Sequence, residues 1–185
     1  MLRDILSFWE SASVRRKKLY SLLFIFLLSV VVTFAGTLVP LSDEDAKLLS
    51  DSVNQIVAEN DSLASLSGAI FVNNFRLCLP MFIPVFGAVF GLFVLFSTGI
   101  GIGAVSVVQG MSSGVVLLML MVTPIFWLEF ISYTMGMTES VWTFRRLLQK
   151  RWSYLKWTAM FIGMTAVLLA IGAVVEAWLI LAVGV

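Results

Sequence analysis

The sequence predicts an all-α, polytopic membrane protein with about five transmembrane helices, four to six being compatible with its runs, and an external amphipathic helix. Three observations predict it. Hydrophobic residues make up 60% of the 185 and charged residues 12%, with mean hydropathy +1.02; soluble domains are about half apolar and a quarter charged. The apolar residues are gathered into runs long enough to cross a bilayer. The basic residues occur in two short clusters that flank such runs, RRKK at 15–18 and a second at 145, 146, 150 and 151. A net charge of +1 gives no electrostatic ground for a nucleic-acid partner.

Taken in order, the N-terminal stretch 1–13 places Leu2, Ile5, Leu6 and Trp9 on one face of a short interfacial helix within a cytoplasmic segment, 1–18. Span 1 follows at 19–41, a retained signal anchor whose preceding basic cluster puts the N-terminus in the cytoplasm. The acidic segment 42–65 then lies outside. Ser42 followed by Asp43, Glu44 and Asp45 has the form of a helix N-cap with acids on the dipole. Leu49, Val53, Ile56 and Leu63 form its apolar stripe. Asn60-Asp61-Ser62 matches a glycosylation pattern, one frequent by chance.

Ser67 to Gly110 is almost unbroken apolar sequence. As one helix it would be roughly 66 Å long, about twice the hydrocarbon thickness. Parity of crossings selects an apolar hairpin at 66–111, with spans at 66–87 and 90–111 and the turn at Gly87 or Gly91; the next span is 114–136. Only an odd number of crossings between acidic loop and second basic cluster keeps that cluster inside. A re-entrant helix within 67–110 satisfies the same parity. The basic segment 140–153 is an interfacial cytoplasmic stretch, and span 5 is 154–183. The whole chain reads as one integral membrane domain.

Three charges fall deep inside these spans, Arg76, Glu129 and Glu176, with Lys156 at the very start of span 5. A central charge costs roughly 2.5–3.5 kcal/mol on insertion scales, so each requires a partner. Arg76 with Glu129 is the natural pair, with Glu176 as a second candidate. Asn73 and Asn74 extend the set with amides able to bridge helices. The network has three readings: an ion pair that fixes helix packing, a route for a proton or solute, or a docking point for a partner helix. Gly87 and Gly91 form a small-xxx-small pair, and Gly99, Gly101 and Gly103 a second small-residue face, suited to close packing or a turn. Pro124 marks a helix break one turn before Glu129, a form that lines sites in transporters and otherwise is a simple kink. Cys78, the single cysteine, excludes an intramolecular disulfide.

Catalysis has little to stand on. Histidine is absent, the membrane runs hold no aspartate, and no Gly-rich phosphate loop occurs. The expectation is a non-enzymatic scaffold or subunit of a membrane complex, with no cofactor and no metal. Its partners would be the lipid bilayer and a membrane protein or a second copy. The alternative is a transporter or permease subunit using Arg76 and Glu129.

The segments FVNNFRLCLP, GAVFGLFVLFSTGIGIGAV and TPIFWLEFISYTMG, taken together over about residues 15–183, resemble the stage II sporulation protein M family. That family has a span opening with Asn-Asn-hydrophobic-Arg, a Gly-rich hairpin, and a Pro-His-Gly…Glu motif before a glycine. Asn73, Asn74 and Arg76 match the first element, and Pro124, Glu129 and Gly136 the last. Ile125 and Phe126 stand where the family has its histidine and glycine, and Thr98 where an asparagine is frequent. The resemblance implies a multi-pass membrane protein without established enzymatic activity, and any role of that histidine is absent here.

Overall fold

A computed structural model of the chain describes residues 11–183, with the side chains at 52–54, 56 and 183 outside the described set. The predicted interfacial helix at 1–13 therefore lies almost wholly outside the described residues. Every described element is helical. In order they are α1 (Val14–Thr37), α2 (Asp43–Ala58), α3 (Leu63–Cys78), a 3-10 turn (Leu79–Phe82), α4 (Phe86–Gln109), α5 (Ser113–Val122), α6 (Pro124–Leu148), a second 3-10 turn (Trp152–Tyr154) and α7 (Leu155–Val183). Three helices are long and apolar enough to cross a membrane, α1, α4 and the one ending in α7; the bent pair α5–α6 makes up to four.

Side-chain neighbours fix the directions. Gly36 of α1 meets Phe96 and Gly99 of α4, and Thr37 meets Gly103, so α1 and α4 run parallel. On α6, Lys18 meets Glu139 while Phe26 stacks on Trp127, so α6 runs against α1. Thr143 bonds Thr158 at 2.9 Å and Leu128 packs on Gly172, so α7 runs against α6. Cys78 sits against the Ser132 carbonyl and Ser140 donates to the Ile83 carbonyl at 2.6 Å, so α3 and its 3-10 turn follow α6. α6 is the axis of this bundle: residues 132–140 are all buried. The core around it is formed by Met81, Phe82, Leu95, Phe130, Met137 and Leu169.

The polar segment 42–65 is two helices rather than one. Ser42 caps α2 as expected, its hydroxyl accepting from the Asp45 amide at 3.1 Å. The chain then breaks at Glu59 to Asp61, and Ser62 caps α3 by accepting from the Ser65 amide at 3.2 Å. Leu63, assigned above to the α2 stripe, therefore belongs to another helix. α2 packs on α4, with Ala46 fully buried.

The hairpin exists, but its turn is not at Gly87 or Gly91, and spans at 66–87 and 90–111 are corrected to α3 with its 3-10 turn and α4. The reversal occupies Ile83 to Val85, between Pro84 and a Val85 held at φ 66°. Two prolines at 80 and 84 withdraw amide donors within five residues, which ends the helix earlier than apolarity alone suggests. Gly87 is instead the first turn of α4, where a Cβ would fall on the Met81 carbonyl. Gly91 is in the second turn of α4, beneath the Met137 side chain.

The predicted span 114–136 is also corrected. α5 and α6 meet at 89° across Thr123, so 114–136 is not a single rod. Thr123 caps α6 and Pro124 occupies its first turn, where a missing amide donor costs nothing. α6 then runs unbroken to Leu148, absorbing much of the segment 140–153 read as interfacial. Span 1 and span 5 correspond to α1 and α7, shifted at α1 by a few residues.

Candidate functional site

Three helices deliver four of the predicted polar residues, Asn73, Asn74, Glu129 and Glu176, to one place. Asn74 projects from the inner face of α3, Glu129 stands in the second turn of α6, and Glu176 lies near the far end of α7. The Asn74 amide donates to Glu129 Oε1. The Asn73 amide reaches Asn74 Oδ1 at 3.4 Å. These groups line a cavity of about 380 Å3 together with Thr98 and Tyr133. Glu176 Oε2 is buried there with no hydrogen-bond partner.

A second cavity of about 630 Å3 shares Thr98 and Glu176 with the first. Leu49, Gln109 and Thr123 line its other side, which is the end of the bundle remote from Lys18 and Arg145. The two cavities thus adjoin at Thr98 and Glu176, the outer one lying between that end and the Asn74–Glu129 contact. Gly101 lines the outer one and meets no neighbouring atom closely.

Arg76 is not part of this set. Among the described residues it makes no ion pair, and it does not line either cavity. The expected pairing of Arg76 with Glu129 is therefore corrected: the partner of Glu129 is Asn74. Two residues along a helix turn the side chain by roughly 200°, so Asn74 and Arg76 cannot face the same way. Arg76 instead sits on an exposed stripe of α3 with Ser65, Gly68 and Val72, continued past the helix by Leu79 and Ile83. Asn73 lies beside that stripe, exposed on one side and lining the cavity on the other.

The glycines divide by use. A Cβ on Gly99 would fall on the Thr33 carbonyl, and one on Gly36 on the Phe96 carbonyl, so α1 and α4 touch backbone to backbone. Gly103 repeats the contact one turn on, beside Thr37. Gly36 was not singled out from sequence, although Ser29, Thr33 and Gly36 are small residues at helical spacing and all fully or nearly fully buried.

A second polar cluster was missed altogether. Glu139, 1% exposed, forms an ion pair with Lys18. Tyr154 donates to Glu139 Oε2 at 3.2 Å and accepts from Lys18 Nζ at 3.2 Å, while Lys18 also lies 3.8 Å over the Phe161 ring. Lys18 was read only as the last of four flanking basic residues, and Glu139 fell past the expected end of its span. Among the described residues, no three carboxylate or thiol side chains gather as a metal site would need. Cys78 is fully buried.

A family model, stage II sporulation protein M, matches residues 22–179, most of the chain. No curated protein and no solved structure matches it significantly.

Proposed function

The chain belongs to the stage II sporulation protein M family, and from that premise we propose that it is a non-enzymatic, membrane-embedded subunit that docks another membrane protein through the exposed stripe of α3. The proposed topology has five crossings: α1, α3 with its 3-10 turn, α4, α6 and α7. α3 and the turn together extend roughly 32 Å, enough for the hydrocarbon. Lys18 and Arg146 both approach Tyr154, so the two basic clusters share one end, which supports a cytoplasmic N-terminus and an external α2.

The observation that carries the reading is the position of Arg76. It lies between Asn74, level with Glu129, and Cys78, level with Ser132. The Glu139–Lys18 level is roughly 12 Å further along α6, so Arg76 faces outward near mid-depth. An unpaired cation there costs roughly 2.5–3.5 kcal/mol, which an acidic side chain on a partner helix removes. Ser65 and Gly68, on the same stripe, let a second helix approach closely. No described residue of this chain supplies the acid.

Photo-crosslinking tests it. A crosslinker at Gly68 or Val72 is expected to capture a membrane protein bearing an acid at matching depth, and one at the lipid-facing Leu27 of α1 is not. Arg76→Glu should abolish capture, and exchanging the partner's acid for arginine should restore it. Equal capture from both faces, or capture indifferent to Arg76, overturns the proposal. The cavity favours a second reading, a solute-binding subunit, whose polar set would be Asn74, Glu129 and Glu176 without Arg76.

A further inference from the structure

The docking face leaves the two-carboxyl cavity unexplained. Glu129 and Glu176 share a space of about 380 Å3 in which no basic side chain takes part. Two carboxylates in a low-dielectric cavity cannot both be ionised without a counter-charge. Asn74 supplies one amide donor to Glu129, a dipole rather than a charge. Glu176 Oε2 has no donor at all, and a buried acceptor in that condition needs one.

The rest of the lining narrows the class of ligand. The volume exceeds what a bare inorganic ion fills and falls in the range of small-molecule sites, about 300–1,000 Å3. Phe130 and Tyr133 are among the residues that line the same space, and aromatic side chains attract organic ammonium groups. Leu66, Leu77 and Leu95 supply apolar wall for a short carbon chain. The cavity of about 630 Å3 adjoins this one at Thr98 and Glu176 and is the way in that the proposal uses.

We propose that this cavity is a binding site for a small organic cation, a protonated alkylamine, whose ammonium lies between Glu129 and Glu176 and whose carbon chain rests on the leucine wall. Thr98 Oγ1 already donates to the Val94 carbonyl at 3.1 Å, leaving its lone pairs for a further N–H donor. Asn73, exposed at its margin, closes the side toward the α3 stripe.

The test uses the full chain purified in detergent micelles, with calorimetric titration by n-butylammonium chloride. Sodium chloride at equal ionic strength and 1-butanol are the controls. Saturable binding of butylammonium is expected, with neither control matching it. Glu129→Gln and Glu176→Gln should each weaken it by about tenfold, the loss of one charge-assisted contact. Gly101→Trp, built into open space, should slow association, followed by stopped-flow mixing, by blocking the outer cavity, which keeps the proposal testable if the carboxyl variants fail to fold. Equal binding of 1-butanol would reduce the site to an apolar void, and equal binding of sodium would make it inorganic. Either result, absence of butylammonium binding, or association unaffected by Gly101→Trp, overturns the proposal. The α3 docking face is untouched by these outcomes, since Arg76 does not enter the cavity.

Discussion

Replacing Lys18 by Met is expected to destabilise the fold far more than loss of one surface charge would. Its carboxylate partner, Glu139, is 1% exposed, and Lys18 itself is 24% exposed. In a medium of effective dielectric about 20, two unit charges about 4 Å apart attract by about 4 kcal/mol. Partial exposure of Lys18 lowers the net figure, leaving roughly 2–3 kcal/mol for the pair. Lys18→Met removes that attraction and leaves Glu139 with only the Tyr154 hydroxyl. The expected loss is about 3 kcal/mol, since the carboxylate must then be neutralised or reached by water. Glu139→Gln keeps the shape and the Tyr154 contact, and should cost about 2 kcal/mol. The double variant Lys18→Met/Glu139→Gln should cost less than the sum by about 2 kcal/mol, because neither member leaves an unpaired charge. Reversible unfolding of the purified chain in mixed detergent micelles measures all three. Losses that add within about 0.5 kcal/mol would refute the reasoning, showing that the two side chains are adjacent without being coupled.

Three further outcomes are expected. Gly99→Leu should destabilise by about 3 kcal/mol or more, since the new side chain meets the Thr33 backbone, which cannot step aside; an unchanged unfolding midpoint would mean that α1 and α4 are further apart. Ser140→Ala removes one of two donors to the Ile83 carbonyl at the hairpin reversal, leaving the Gly87 amide at 2.8 Å, and should cost about 0.5–1 kcal/mol in the same assay, with Ser140→Thr recovering part of it. Cys78, fully buried against the Ser132 carbonyl, should resist small polar maleimides in the native state and react once unfolded. Rapid native labelling would place a water path at this side chain.

Legibility followed the kind of signal. α1 and α7 were readable because each is an apolar run bounded by charge, a pattern that burial of any sort in lipid requires. The cap of α2 was readable because Ser42 and Asp45 are local partners. The hairpin turn lies away from the glycines because Pro80 and Pro84, not Gly87 or Gly91, withdraw the amides that would carry the helix on. The pairing of Arg76 with Glu129 rested on charge alone and ignored azimuth: Cys78, four residues after Asn74, faces the core with it, and Arg76 does not. Glu129, Glu176, Asn73 and Asn74 do line one cavity. Nothing in a single sequence indicates that Lys18 and Glu139, from distant segments, are neighbours. Tyr133 was equally silent, an ordinary residue until four helices converge on it, and Thr98 was marked only as a departure from the family's pattern.

The burial of α6 has a consequence for biogenesis. Within the proposed topology this helix crosses the bilayer carrying Glu129 and Glu139, besides Ser132, Thr134, Thr138, Ser140 and Thr143 in its buried middle. It does not pass on its own as an apolar span. A lone charged side chain at mid-bilayer costs roughly 2.5–3.5 kcal/mol, so α6 released alone into lipid from the insertion machinery would tend to slip back out. It becomes stable as it finds Lys18 on α1, Asn74 on α3 and the hydroxyl of Thr158 on α7. Two of those three precede it in the chain and are already in the membrane when it emerges. The order of helices is thus also an order of assembly, in which the earliest span holds a cation ready for the least apolar one.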